Sequence, residues 1–116
     1  MHPCTIQEKQ EARPITVMHV HIALFRWKAG TPNSRIDEAL RTIESLKDKV
    51  DGIVEISCRR NTSKYAEGYT HVVLVRGRTA AALEAYRKHP DHERAARDID
   101  AMEDHGIGVD FETADV

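Results

Sequence analysis

The eleven residues from Val17 to Trp27 hold one formally charged side chain, Arg26, and apart from His19 and His21 the rest are aliphatic or aromatic. A run of this length and composition reads as a strand covered on both of its faces. That demand constrains the fold more than anything else in the chain, because whatever surrounds the strand must supply two apolar layers. At 116 residues there is room for a single domain. The first 16 residues are polar, with Pro3 and Pro14, and read as an N-terminal extension; the domain proper is expected over 17–116.

Downstream of the strand, Gly30, Pro32, Asn33 and Ser34 punctuate the chain, and Asn33 or Ser34 is placed to cap a helix. Ile36, Leu40, Ile43, Leu46 and Val50 recur at steps of three and four, which predicts one continuous helix ended by Gly52. From Ile53 to Arg60 the residues alternate, with Val54, Ile56 and Cys58 against Glu55, Ser57 and Arg59, the period of a half-covered strand. Residues 61–68 read as a loop and 69–76 as a third strand. Helical patterns follow over 79–88 and from about Asp91 to Glu103, separated at Pro90, and Ile107, Val109 and Phe111 alternate through a last strand.

This order is the ferredoxin-like βαββαβ arrangement of the α+β class, a four-stranded antiparallel sheet with helices on one face. The helices suffice for one face only. The face carrying Val17, Ala23, Phe25, Trp27, Tyr69, Val73 and Val75 is also apolar, so a second sheet is expected to cover it. The expected assembly is a homodimer, a dimeric α+β barrel.

Composition narrows the function classes. Seventeen Lys and Arg against nineteen Asp and Glu leave a net charge of −2, without the dense basic face that sequence-independent nucleic-acid binding requires. No stretch approaches the roughly 20 apolar residues of a membrane helix. Cys4 and Cys58 are too few for a disulfide framework, which favours a cytoplasmic setting.

Seven histidines on so small an acidic domain are unusual. Counting by two along the first strand, His19 and His21 share a face with Ala23 and Phe25, while Val20, Ile22 and Leu24 share the other. We expect the aliphatic set under the helices and the histidines inside the barrel, where His71, on the face of Tyr69, Val73 and Val75, would join them. The segment 86–92 concentrates Tyr86, His89 and His92 around a helix break. A neutral imidazole takes up a proton near pH 7, and an adjacent phenol can donate to a developing oxyanion. Cys58 reads as a half-buried thiol, and His89 as a residue that caps or steers the turn. Arg59 and Arg60 could receive an acidic group at the pocket mouth, although adjacent strand residues point opposite ways.

The motifs HIALFRWKAG (21–30), RNTS (60–63), GYTH (68–71), AALEAYRKHPDH (81–92) and VDFE (109–112) resemble those of the stress-responsive dimeric α/β-barrel (Dabb) family, over Met18 to Glu112. Members of that family include a plant polyketide cyclase that works without metal or cofactor and a hydroxynitrile lyase. The resemblance implies a cofactor-independent enzyme with His92 as general base and Tyr86 as its helper, catalysing cyclisation or a lyase reaction on a small polyketide, phenolic or carbonyl substrate. It implies that His21 and His71 line the same pocket, and His19, Phe25 and Tyr69 complete the expected substrate-binding set. Two alternatives stand beside it. One is a metal site made by His19, His21 and His71, since imidazoles at x-His-x-His spacing on a strand suit zinc. The other is a non-catalytic, small-molecule-binding stress protein whose histidines are hydrogen-bonded core groups.

Overall fold

The computed structural model describes residues 16–115; the expected N-terminal extension lies, but for Thr16, outside them. The elements are β1 (Thr16–Trp27), α1 (Asn33–Ser45), a single 3₁₀ turn (Leu46–Asp48), β2 (Ile53–Arg60), β3 (His71–Gly77), α2 (Ala80–Lys88), α3 (Pro90–Met102) and β4 (Glu103–Asp115). The strands form one antiparallel sheet in the order β2-β3-β1-β4. This is the ferredoxin-like arrangement that the element order predicts. No helix of the described residues is long and apolar enough to cross a membrane.

Local differences from the expected elements have local causes. Neither Asn33 nor Ser34 caps α1: Pro32 occupies the cap position, and its carbonyl accepts from the N–H groups of Arg35 and Ile36. The helix ends at Ser45, and the chain tightens into the 3₁₀ turn, yet Leu46 and Val50 keep their buried places. A bulge between Ile53 and Glu55 turns Ile53 to the inner face, the place that strict alternation assigned to Val54. The third strand starts at His71 instead of Tyr69. Asn61 closes the preceding loop by donating its N–H to Thr70 O and its side-chain amide to Tyr69 O, and Gly68 turns it at φ +84°.

The larger difference is which sheet face meets the helices. His21 pairs across the sheet with Val75 and Ala23 with Val73, and those valines are buried in the core with Ile43, Tyr86 and Ile99. The face of His19, His21, Ala23, Phe25 and Trp27 therefore lies under the helices, opposite to expectation. Val20, Ile22 and Leu24 stand instead with Val72, Leu74, Ile107, Val109 and Phe111 on the face that carries no helix. The parity was right and the side wrong. Both faces are apolar, so hydrophobicity alone did not separate them; side-chain size does. Phe25 and Trp27, stacked with ring centroids 5.2 Å apart, pack against the core between sheet and helices. Gly77 on the same face lets Leu83 of α2 approach closely, where a Cβ would stand 3.3 Å from a Leu83 methyl. The other face is mostly aliphatic but also carries the Arg76–Glu55 ion pair, and Ile107, Val109 and Phe111 on it remain exposed.

Candidate active site

The helix break at 89–90 builds the centre of the site. Thr79 starts α2 by accepting from the Ala82 N–H, and Tyr86 sits in its last turn, buried. His89 leaves the helix in an extended conformation, and its Nδ1 accepts from the Asp91 N–H, so it caps α3 as the sequence suggests. Pro90 occupies the first turn of α3, where its missing N–H costs nothing. Lys49 and Arg94 both pair with Asp91, at 2.7 and 3.1 Å, and hold that turn in place. The chain reversal brings His92 edge-on against Tyr86, with ring centroids 4.6 Å apart.

His21 enters from β1. Its Nδ1 lies 2.7 Å from Asp110 on the neighbouring strand β4, and Asp110 also accepts from Arg87 at 3.2 Å. An ionised carboxylate only accepts, so Nδ1 carries a proton. His21, Tyr86 and His92 meet at a cavity of about 180 Å³. Ala23, Phe25 and Val73 line its sheet side, Ile43, Ala96 and Ile99 its helix side, and Asp100 and Glu103 complete the lining.

Burial sets the protonation states. It lowers the pKa of His92, and the nearby His21 and Arg87 push in the same direction, so the ring is a neutral base at pH 7. Burial raises the Tyr86 phenol, which therefore stays a hydrogen-bond donor. Burial, and then Asp100, raise the Glu103 carboxyl, whose Oε2 is buried without a hydrogen-bond partner. A neutral base against a protonated phenol at a half-open cavity is suited to removing a proton beside a carbonyl.

Of the expected pocket residues, His21, Phe25, Tyr86 and His92 converge. Three others do not. His71 lies across the sheet from Phe25, four residues along β3 from the partner of His21, or about 13 Å at strand rise. It faces a separate recess, and its Nδ1 accepts from Trp27 Nε1 at 2.9 Å. His19 faces another hollow, beside Leu83 and Phe111. Tyr69 lies at the exposed rim, with its hydroxyl 2.6 Å from His105 Nδ1 and Arg26 over its ring. The histidine trio of the metal alternative is thus spread along the sheet, and no cluster of three or more His, Cys, Asp or Glu suited to a metal occurs among the described residues.

Sequence reasoning missed Asp110, Arg87 and Glu103. Asp110 stands in the VDFE motif but meets His21 only through the β1–β4 register. Arg87 follows Tyr86 directly, and a cation beside a paired phenol and imidazole was a readable signal. Glu103 reads in the sequence as the end of a helix, which hides its place at the cavity.

The sequence matches the family model of the Stress responsive A/B Barrel Domain over residues 20–113. No curated protein matches it. Among solved structures it is similar to a dimeric ferredoxin-like protein of unknown function from Jannaschia sp. CCS1, with 27% identity, TM-score 0.76, and coverage of 83% of this chain and 99% of that one. It is similar in fold to the hydroxynitrile lyase from Passiflora edulis, with 15% identity, TM-score 0.73, and coverage of 83% and 93%. A Dabb family protein from Mesorhizobium loti shares the fold as well, with 20% identity, TM-score 0.67, and coverage of 82% and 95%.

Proposed function

The chain belongs to the stress responsive A/B barrel (Dabb) family, and on that premise we propose that it is a cofactor-independent general acid/base enzyme, cyclase-like or lyase-like, acting on a small polyketide, phenolic or carbonyl compound. The observation that carries this reading is the contact of His92 with Tyr86 at a cavity left open between sheet and helices. A set of purely structural core histidines would have that space filled.

In the proposed step His92 takes a proton from the carbon next to a carbonyl. The C–H electrons pass into the enolate, and the Tyr86 hydroxyl donates to the enolate oxygen. Asp110 acts as a positioning residue, since it holds the His21 ring by Nδ1 at the cavity. A base of this kind contributes about 10²- to 10⁴-fold in rate, and orientation by the apolar walls adds to it. The working unit is a homodimer, in which the aliphatic sheet faces of two copies cover each other, as the dimeric description of the Jannaschia relative supports.

The test needs no natural substrate. The α-methyl protons of a hydroxyacetophenone, a small phenolic ketone, exchange with deuterated water at a rate that NMR follows. We expect the protein to accelerate exchange above an equal concentration of free imidazole, and His92→Asn and Tyr86→Phe each to lower that acceleration about 10²-fold or more. Acceleration that survives both substitutions would remove these roles.

A further inference from the structure

Behind the Phe25–Trp27 stack, between α1 and the edge strand β2, lies a recess of about 300 Å³ that the proposed chemistry does not use. Its buried polar group is His71, 6% exposed. Trp27 can only donate through Nε1, so the His71 Nδ1 that receives this bond carries a lone pair and the ring proton resides on Nε2. Thr70 Oγ1 lies 2.8 Å from the same Nδ1. No hydrogen bond from Nε2–H to a protein acceptor occurs among the described residues, and His71 lines this recess. With Nδ1 engaged by Trp27, the Nε2–H donor is available to an acceptor from outside.

The surrounding charges say what kind of acceptor. Arg60 pairs with His71 across β2 and β3, and Arg41 approaches from α1. Neither has an ion-pair partner among the described residues. Arg59, on the outermost strand, bends its guanidinium to Glu44 at 3.0 Å, and the two cancel. Asp37 subtracts one from the two free arginines, which leaves a net charge of +1. Leu40 and Cys58 supply an apolar wall, and the Cys58 thiol, pushed up to about 12 by burial, stays neutral.

We propose that this recess is a second binding site, for a small organic monocarboxylate, in which the carboxylate accepts from His71 Nε2–H and from the Arg41 and Arg60 guanidinium groups while its apolar body lies on Leu40. A monoanion balances the net charge, whereas a phosphate dianion would bring excess charge against Asp37 and Glu44. The site stands apart from the His92 cavity and does not depend on the reading of it.

Trp27 is the sole tryptophan and touches His71 directly, so its fluorescence reports on the recess. Full-length protein titrated with benzoate is expected to show a saturable change in Trp27 emission and a shift of the His71 Nε2 signal in proton–nitrogen NMR. Inorganic phosphate at the same concentrations is expected to produce neither. Arg60→Ala, an exposed change that leaves the core intact, should weaken benzoate about tenfold, the equivalent of losing one charge-assisted hydrogen bond; Arg41→Ala should act in the same direction. Three results would overturn the proposal: no saturable response, an unchanged affinity in Arg60→Ala, or a benzoate shift at His92 without one at His71. Phosphate binding as tight as benzoate would overturn the assignment of ligand class.

Discussion

Phe111→Ala on the helix-free sheet face tests the proposed assembly quantitatively. Phe111 is 47% exposed on one chain, so of the roughly 200 Å² that a phenylalanine buries, about 90 Å² remains to be covered by a partner. At about 25 cal/mol per Å² this is about 2 kcal/mol per copy. A two-fold interface contains the residue twice, so truncation removes about 4 kcal/mol and raises the dimer dissociation constant about a thousandfold. The side chain projects away from the core, so the isolated fold should survive with unchanged far-ultraviolet circular dichroism. Sedimentation velocity over a dilution series measures the constant. A value within about threefold of the parent would show that the aliphatic face is not where the copies meet.

Two further outcomes follow from burial and backbone geometry. His71 and His92 both titrate below the ordinary imidazole value of 6.5, chiefly through burial, helped by Arg60 at His71 and by His21 at His92. The unfolded chain then binds these protons first, so their contribution to stability is complete above pH 6.5 and is lost as the pH falls through the two lowered values. Urea midpoints measured from about pH 8 to about pH 5 should fall, and a midpoint that rises on acidification contradicts the assignment. Gly52 sits at φ +88°, and a Cβ there would lie 2.8 Å from the Ala82 Cβ. Gly52→Ala therefore combines about 1–2 kcal/mol of left-handed strain with about 1–3 kcal/mol of overpacking, lowering Tm by about 10 °C or more. A loss under about 3 °C in a thermal scan would mean that the turn yields.

The fold was legible because its signals are local. Apolar steps of three and four placed α1, Pro90 separated α2 from α3, and β-branched runs marked the strands. Alternation along β1 sorted His19, His21, Ala23 and Phe25 from Val20, Ile22 and Leu24 correctly, since neighbouring side chains on a strand must oppose. Which set faces the helices is a different kind of fact. It depends on what the helices bring to each place, and two faces of similar hydrophobicity leave composition no means of choosing. The size of Phe25 and Trp27, and the small Gly77 opposite Leu83, carry the answer; the preference for seating the aliphatic set Val20, Ile22 and Leu24 under the helices obscures it.

The candidate site divides along the same line. Tyr86 and His92 are six residues apart, and a proline-led break between two helices folds that short path back on itself, so their meeting is nearly a property of the segment. His21 reaches Asp110 across 89 positions of sequence. Only the register of β1 against β4 joins them, and a slip of one residue would exchange Asp110 for Val109 or Phe111. The separation of His71 from His21 is likewise a register effect, because the pairing of Phe25 with His71 puts the Phe25–Trp27 stack at the boundary of two recesses. Reading His21 and His71 as one pocket amounted to assuming a register four residues away from the real one. The histidines expected in one pocket therefore stand in three places: His21 and His92 at the cavity between sheet and helices, His71 at the recess beside Arg41 and Arg60, and His19 at the hollow beside Leu83 and Phe111.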